Sequence, residues 1–165
     1  MSGSTLLQQA LAALDRRHFQ AAAALAGRAA QSAPRDAEPL RVLGVAQLRL
    51  GRTREATASL RRALKLDPLS ASCYHALGNA LQEQGQVEAA VNAYRRALRF
   101  DPAMLAAHND LGTALFAQGR LDEAIQAFQD ALARDADQPA VLENLGSALR
   151  RAGRFAEARS VLLRS

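Results

Sequence analysis

The side chains best suited to catalysis or metal binding are three histidines and one cysteine: His18, His75, His108 and Cys73. Metal sites need several such ligands at short, paired spacings, and nucleophilic catalysis needs a base beside the nucleophile. Here the four residues are scattered. His75 and His108 fall near one position on adjacent predicted helices, but this pattern is more typical of partly exposed surface histidines. We therefore predict no catalytic residue, no metal, no cofactor and no enzymatic activity.

Three asparagines, Asn79, Asn109 and Asn144, offer a different chemistry. An amide side chain both donates and accepts hydrogen bonds, so a row of amides can bind a peptide backbone whatever its side chains. Asparagine is also a poor helix former, although all three lie in predicted helices. Such a row requires successive helices that present the same face, and this in turn requires helices that recur at a fixed spacing in the chain.

The glycines reveal that repeat. Eight of the ten glycines form pairs seven residues apart, and each pair follows the previous one after 34 residues. The pairs are Gly44 and Gly51, Gly78 and Gly85, Gly112 and Gly119, and Gly146 and Gly153. Leucine precedes the first glycine of each pair, alanine follows it after twelve residues, and a large apolar residue follows after sixteen. A fixed period of this size indicates a repeat array.

One unit of the array is predicted to be a helix, a tight turn and a second helix. Tyr74, Leu77 and Leu81 form a single helical stripe, and Gly85 can end that helix because glycine adopts the left-handed conformation without steric cost. Pro102 prevents the second helix from continuing. The first glycine of each pair lies inside a helix, at a cost of about 1 kcal/mol relative to alanine. We therefore predict a neighbour that leaves no room for a β-carbon.

These residues resemble the tetratricopeptide repeat family, whose units have 34 residues. The best-matching unit, 71–104, carries Tyr74, Leu77, Gly78, Leu81, Gly85, Ala90, Tyr94, Ala97 and Pro102. The resemblance implies an all-α fold, a right-handed α-solenoid of helix-turn-helix repeats with about ten antiparallel helices. It also implies a single domain over residues 1–165. The expected repeats are a degenerate capping repeat at 3–36, full repeats at 37–70, 71–104 and 105–138, and a partial repeat at 139–165.

In this family the first helices line a concave groove, and the resemblance implies a peptide-binding site there. The residues expected to line it are Arg41, Arg49, His75, Asn79, Gln82, Asn109, Asp110, Thr113, Phe116, Asn144, Ser147 and Arg151. The asparagines resemble those in the repeat region of O-linked N-acetylglucosamine transferases. The carboxylate clamp of chaperone-binding repeats fits poorly, because the only lysine, Lys65, lies on a second helix.

We expect a non-catalytic protein–protein interaction module that binds an extended peptide or protein segment. The alternative is the substrate-recruiting region of a larger bacterial enzyme of the glycosyltransferase, sulfotransferase or hydroxylase type. Nucleic-acid binding is a further alternative, since the net charge is +5. Residues 38–65 carry seven basic and two acidic side chains, but residues 101–137 carry seven acidic and two basic. Because a surface that follows a phosphate backbone stays positive, this distribution argues against nucleic acid.

The chain contains no uncharged apolar stretch long enough to cross a membrane and no secretory signal, so we expect a cytoplasmic protein without a membrane partner. The last predicted helix carries Val161, Leu162 and Leu163. No further repeat follows to cover them, and an uncapped solenoid end exposes apolar surface. We therefore expect homo-oligomers to form through this end, or a further helix to cover it.

Overall fold

The computed structural model describes residues 2–163, which form ten α-helices and no β-strand. The helices are α1 Gly3–Asp15, α2 Phe19–Ser32, α3 Glu38–Arg49, α4 Thr53–Leu66, α5 Ala71–Glu83, α6 Val87–Phe100, α7 Leu105–Ala117, α8 Leu121–Leu132, α9 Pro139–Arg151 and α10 Phe155–Leu162. Each predicted repeat corresponds to a first helix with an odd number and a second helix with an even number.

The chain divides into two compact units, Met1–Gln86 with α1 to α5 and Val87–Ser165 with α6 to α10. Within each unit, helices that follow one another in the chain pack together. First helices also touch the next first helix: α1 contacts α3, α3 contacts α5, and α7 contacts α9. Side chains on these helices can therefore meet across a repeat boundary inside one unit.

The tight turn inside each repeat has the predicted left-handed residue. Gly85 has φ +73°, and the turn is closed by two backbone bonds, from Gly85 N to Gln82 O and from Gln86 N to Leu81 O, both 2.9 Å. This pattern satisfies the carbonyl groups left open at a helix end. The degenerate first repeat forms the same turn with Arg17, which has φ 61°.

The glycines inside the first helices lie against large side chains of the paired second helix. A β-carbon on Gly44 would lie 2.6 Å from Leu60 Cγ, and one on Gly112 would lie 2.6 Å from Phe128 Cε1. A β-carbon on Gly146 would lie 2.6 Å from Leu162. The close neighbour predicted from the sequence is confirmed at these three glycines, and it is a side chain sixteen residues later in the chain.

The turn between repeats depends on aspartate. Oδ1 of Asp67 accepts a hydrogen bond from the backbone N–H of Leu69, and Oδ1 of Asp101 accepts one from Ala103. Asp135 accepts the same bond from Asp137 at 3.1 Å, although alanine replaces the following proline there. An aspartate side chain can therefore form this turn without a proline.

Candidate functional site

Two of the predicted asparagines meet on the face formed by α7 and α9. Asn144 Nδ2 donates a hydrogen bond to Asn109 Oδ1 at 3.1 Å, and Asn109 Nδ2 points toward Asp110 Oδ1 at 3.5 Å. Both asparagines are half-buried. Because each amide carries two N–H donors and one oxygen, the pair retains hydrogen-bonding capacity for a ligand. Asn144 Oδ1 accepts no bond from any residue in the range 2–163.

Phe116 and Arg151 form a second contact on the same face. The guanidinium carbon of Arg151 lies 5.0 Å from the centroid of the Phe116 ring, within the range of a cation–π interaction. Nη1 of Arg151 also donates to the backbone oxygen of Phe116 at 3.2 Å. The Phe116 ring, which the sequence placed in the groove, is half-buried beneath a cation.

The two contacts are aligned with each other. Asn109 and Phe116 lie seven residues apart on α7, as do Asn144 and Arg151 on α9, so about two helical turns or ~10 Å separate the contacts. Thr113, whose hydroxyl donates to its own helix at Asn109 O, and Ser147 occupy intermediate positions. We call this surface the α7–α9 face; its residues are Asn109, Asp110, Thr113, Phe116, Asn144, Ser147 and Arg151.

The predicted site residues of the first unit lie on α3 and α5. Arg41 is half-buried and donates two hydrogen bonds to the carboxylate of Glu38, through Nε at 2.7 Å and Nη2 at 2.5 Å. This hydrogen-bonded pairing raises the pKa of Arg41 above its usual value. Arg49 is exposed at the end of α3. Since Glu38 occupies the Nε and Nη2 donors that would bind a carboxylate side by side, Arg41 is less available to a ligand than the sequence suggested.

The other predicted residues of the first unit, His75, Asn79 and Gln82, are half-buried on α5. A cavity of about 260 Å³ lies beside the starts of α3 and α5, with Arg41 and Cys73 among its lining residues. Cys73 donates to Leu60 O at 3.4 Å and is 1% exposed, and burial raises the pKa of its thiol to about 12. Cys73 is therefore a buried packing residue.

The expectation that His108 is a partly exposed surface histidine is wrong. Its side chain is buried, and Nε2 lies 2.9 Å from the backbone oxygen of Pro102. Arg134 Nε donates to the same oxygen at 3.1 Å. His108 therefore joins α7 to the turn that precedes it, which is a structural role. Across residues 2–163, no group of three or more histidine, cysteine, aspartate or glutamate side chains could hold a metal ion.

Two second helices each carry a pair of adjacent arginines, Arg61 and Arg62 on α4 and Arg95 and Arg96 on α6, and the ion pairing differs between them. Arg95 in the second unit forms an ion pair with Glu123 at 2.7 Å, and Glu123 also binds Arg120. These hydrogen bonds lower the pKa of Glu123. Arg61 and Arg62 in the first unit are exposed and form no such ion pair within the described range. Ion pairing therefore offsets positive charge in the second unit.

Sequence reasoning missed two glutamines that link one repeat to the next. Gln84 Nε2 at the end of α5 donates to Thr53 O at 2.9 Å and to Thr57 Oγ1 at 2.7 Å. Gln118, 34 residues later, donates to Glu88 Oε2 at 2.8 Å. The 34-residue spacing of the two glutamines was a usable signal, because both immediately precede a turn glycine.

The geometry is that of a helical-repeat protein whose first helices carry polar side chains on a shared face. Tetratricopeptide repeat models match residues 75–139 and 115–165, and a TPR repeat model matches residues 46–85. Together these matches cover residues 46–165, so the chain belongs to the tetratricopeptide repeat family. The predicted fold class, an all-α solenoid of such repeats with about ten helices, is confirmed.

Solved structures share this fold. A crystal structure of MamA protein superposes with a TM-score of 0.85, and the two sequences are 23% identical. The match covers 98% of this chain and 88% of the MamA chain. MamA 41-end from Desulfovibrio magneticus RS-1 has 23% sequence identity and a TM-score of 0.86, and the match covers 98% of this chain and 91% of that one. Pseudomonas aeruginosa pilF has 22% sequence identity and a TM-score of 0.88, and the match covers 96% of this chain and 72% of the pilF chain. A comparison with curated proteins found no match.

Family membership supports a protein-interaction scaffold, since tetratricopeptide proteins bind proteins or peptides and are generally non-catalytic. The likeness to O-linked N-acetylglucosamine transferases stays a prediction. Among the helices of residues 2–163, none is long and apolar enough to span a membrane.

Proposed function

We propose that this protein is a non-catalytic interaction module that binds an extended peptide or protein segment along its first helices. The observation that carries the proposal is the amide pair of Asn109 and Asn144 on the α7–α9 face. One amide orients the other through a 3.1 Å hydrogen bond, and unused donors and an acceptor remain for a ligand backbone.

The other first-helix residues extend the proposed site within each unit. In the second unit the hydroxyls of Thr113 and Ser147 and the Arg151–Phe116 pair complete the α7–α9 face. In the first unit Asn79 and Gln82 supply the same amide chemistry on α5. An extended peptide leaves many of its backbone donors and acceptors unpaired, and amide side chains satisfy both kinds.

The test is a binding assay with a library of short synthetic peptides and purified full-length protein. We expect the combined variant Asn79→Ala, Asn109→Ala and Asn144→Ala to weaken binding about tenfold or more, because each lost hydrogen bond costs roughly 0.5–1.5 kcal/mol. Asn92→Ala is the matched control, since Asn92 is an exposed asparagine on a second helix. Unchanged affinity of the triple variant would show that the site is assigned to the wrong face.

A further inference from the structure

The pair of Arg151 and Phe116 carries an inference about what the module recognises. We propose that Arg151, supported by the ring of Phe116, is a carboxylate-recognition site that selects an acidic group in the bound peptide. This inference rests on the proposed function, because it assigns a ligand chemistry to one end of the α7–α9 face.

Two contacts hold the Arg151 guanidinium in place. It lies 5.0 Å from the centroid of the Phe116 ring, and one nitrogen, Nη1, donates to Phe116 O. That oxygen also accepts the N–H of Gly119 at 3.0 Å. An arginine that stacks on a ring and donates to a backbone oxygen has lost much of its rotamer freedom. It therefore binds a second partner at a smaller entropic cost.

The guanidinium keeps donors for a ligand. An arginine side chain has five N–H donors, and within residues 2–163 Arg151 uses only one of them, on Nη1. No carboxylate in residues 2–163 forms an ion pair with Arg151, in contrast to Arg41, Arg95, Arg120 and Arg154. Its side chain is exposed at the end of α9. The free donors form a planar fork, and a carboxylate is the group that matches such a fork with two parallel hydrogen bonds.

The spacing along α9 fixes where the carboxylate lies in the ligand. Arg151 lies about two helical turns, or ~10 Å, from Asn144, and an extended chain advances ~3.3 Å per residue. The acidic group is therefore about three residues from the backbone amide held by Asn109 and Asn144. Either an aspartate or glutamate side chain or a C-terminal carboxylate satisfies this chemistry.

The experiment compares residue preferences with two positional-scanning libraries of N-acetylated short peptides, one C-amidated and one with free C-termini. Wild-type protein is expected to enrich acidic residues at one position of the amidated library about threefold to tenfold. If the C-terminal carboxylate is the bound group, the whole free-acid library binds more tightly by a similar factor. Either result supports the inference, and binding without any preference for a carboxylate overturns it.

Charge reversal distinguishes recognition from a structural role. Arg151→Glu is expected to switch the preference at the same position from acidic to basic residues, or to remove the advantage of the free-acid library. Arg159→Glu makes the same net charge change on α10 and leaves the preference unaltered. Phe116→Leu keeps an apolar residue but removes the ring, so the acidic preference falls while overall binding persists.

Each remaining outcome has a definite consequence. If Arg151→Glu weakens all peptides equally without changing the preference, Arg151 only stabilises the contact between α7 and α9, and the inference is wrong. If no peptide in either library binds to well-folded wild-type protein, the proposed function fails together with the inference. Circular dichroism and a thermal melt of each variant establish that the fold is intact.

Discussion

The ring of Phe128 occupies the position that a β-carbon on Gly112 would need, with Cε1 only 2.6 Å away and two further ring atoms within 2.9 Å. Phe128 is 1% exposed, so its ring has no solvent space into which it can turn. The mid-helix glycine and the aromatic sixteen residues later are therefore one packing unit.

Gly112→Ala is expected to destabilise the protein for this reason. Overpacking costs about 1–3 kcal/mol, and the gain in helix propensity returns about 1 kcal/mol, so a net loss of up to about 2 kcal/mol is expected. Chemical denaturation measures it. Gly27→Ala is the matched control, because a β-carbon on Gly27 in α2 meets nothing within 4 Å. That variant should be neutral or more stable, and equal losses in both variants would contradict the packing explanation.

Arg17 adopts φ 61° at the turn position that glycine occupies in the other repeats. A left-handed conformation costs a non-glycine residue about 1–2 kcal/mol. Arg17→Gly is therefore expected to raise the free energy of unfolding by about 1 kcal/mol, after allowance for the greater freedom of glycine in the unfolded chain. Gly51→Ala, at the equivalent turn with φ +73°, should lower it by a similar amount. A destabilised Arg17→Gly protein would show that the Arg17 side chain makes a stabilising contribution of its own.

Burial raises the pKa of the Cys73 thiol to about 12 in the folded protein. The unfolded thiol loses its proton near pH 8.5, so above that pH the folded state holds the proton more tightly. The stabilisation is complete below pH 8.5 and is lost progressively as the pH rises toward 12. Cys73→Ala should show a shallower loss of stability over this range.

Thiol chemistry provides a second measurement of the same property. Native protein at pH 8 should react with a disulfide reagent far more slowly than denatured protein, since only the thiolate is nucleophilic. Rapid reaction of the native protein would contradict the burial of Cys73.

An apolar patch on the last helix supports the proposed self-association. Phe155 is 69% exposed and Leu163 is 80% exposed, and with Leu162 they border a cavity of about 320 Å³. We expect sedimentation velocity to show concentration-dependent oligomers that the double variant Phe155→Ser and Leu163→Ser reduces, because burial of this surface drives association. Leu69→Ser removes a leucine that is 67% exposed in the first unit and serves as the control. A wild-type protein that stays monomeric at high concentration excludes association.

The local features of the fold were predictable because they depend on short spacings in the chain. The left-handed turn at Gly85 and the crowding beside Gly112 each follow from one residue type at one position of the period. The turn at Asp135 was harder to recognise, since the proline was the expected signal and the aspartate forms the hydrogen bond.

The candidate site was only partly predictable. The sequence repeats every 34 residues, but the side chains that meet are 35 residues apart: Asn109 with Asn144, and Phe116 with Arg151. Sequence reasoning placed all four on one face without pairing them. Sequence reasoning also placed Arg41 in the binding site as a cation open to a ligand. The structure pairs Arg41 with Glu38, and that pairing depends on side-chain rotamers, which the sequence does not specify.

The sequence by itself determined the helices, their turns and their pairing, because these arise from the apolar period, the glycines and the close packing of small residues. Only the tertiary structure decided which polar side chains are buried and which remain available. Adjacent residues on a helix point about 100° apart, so a small rotation of the helix exchanges their environments. On α7 this rotation buries His108 against Pro102 O and leaves its neighbour Asn109 on the α7–α9 face.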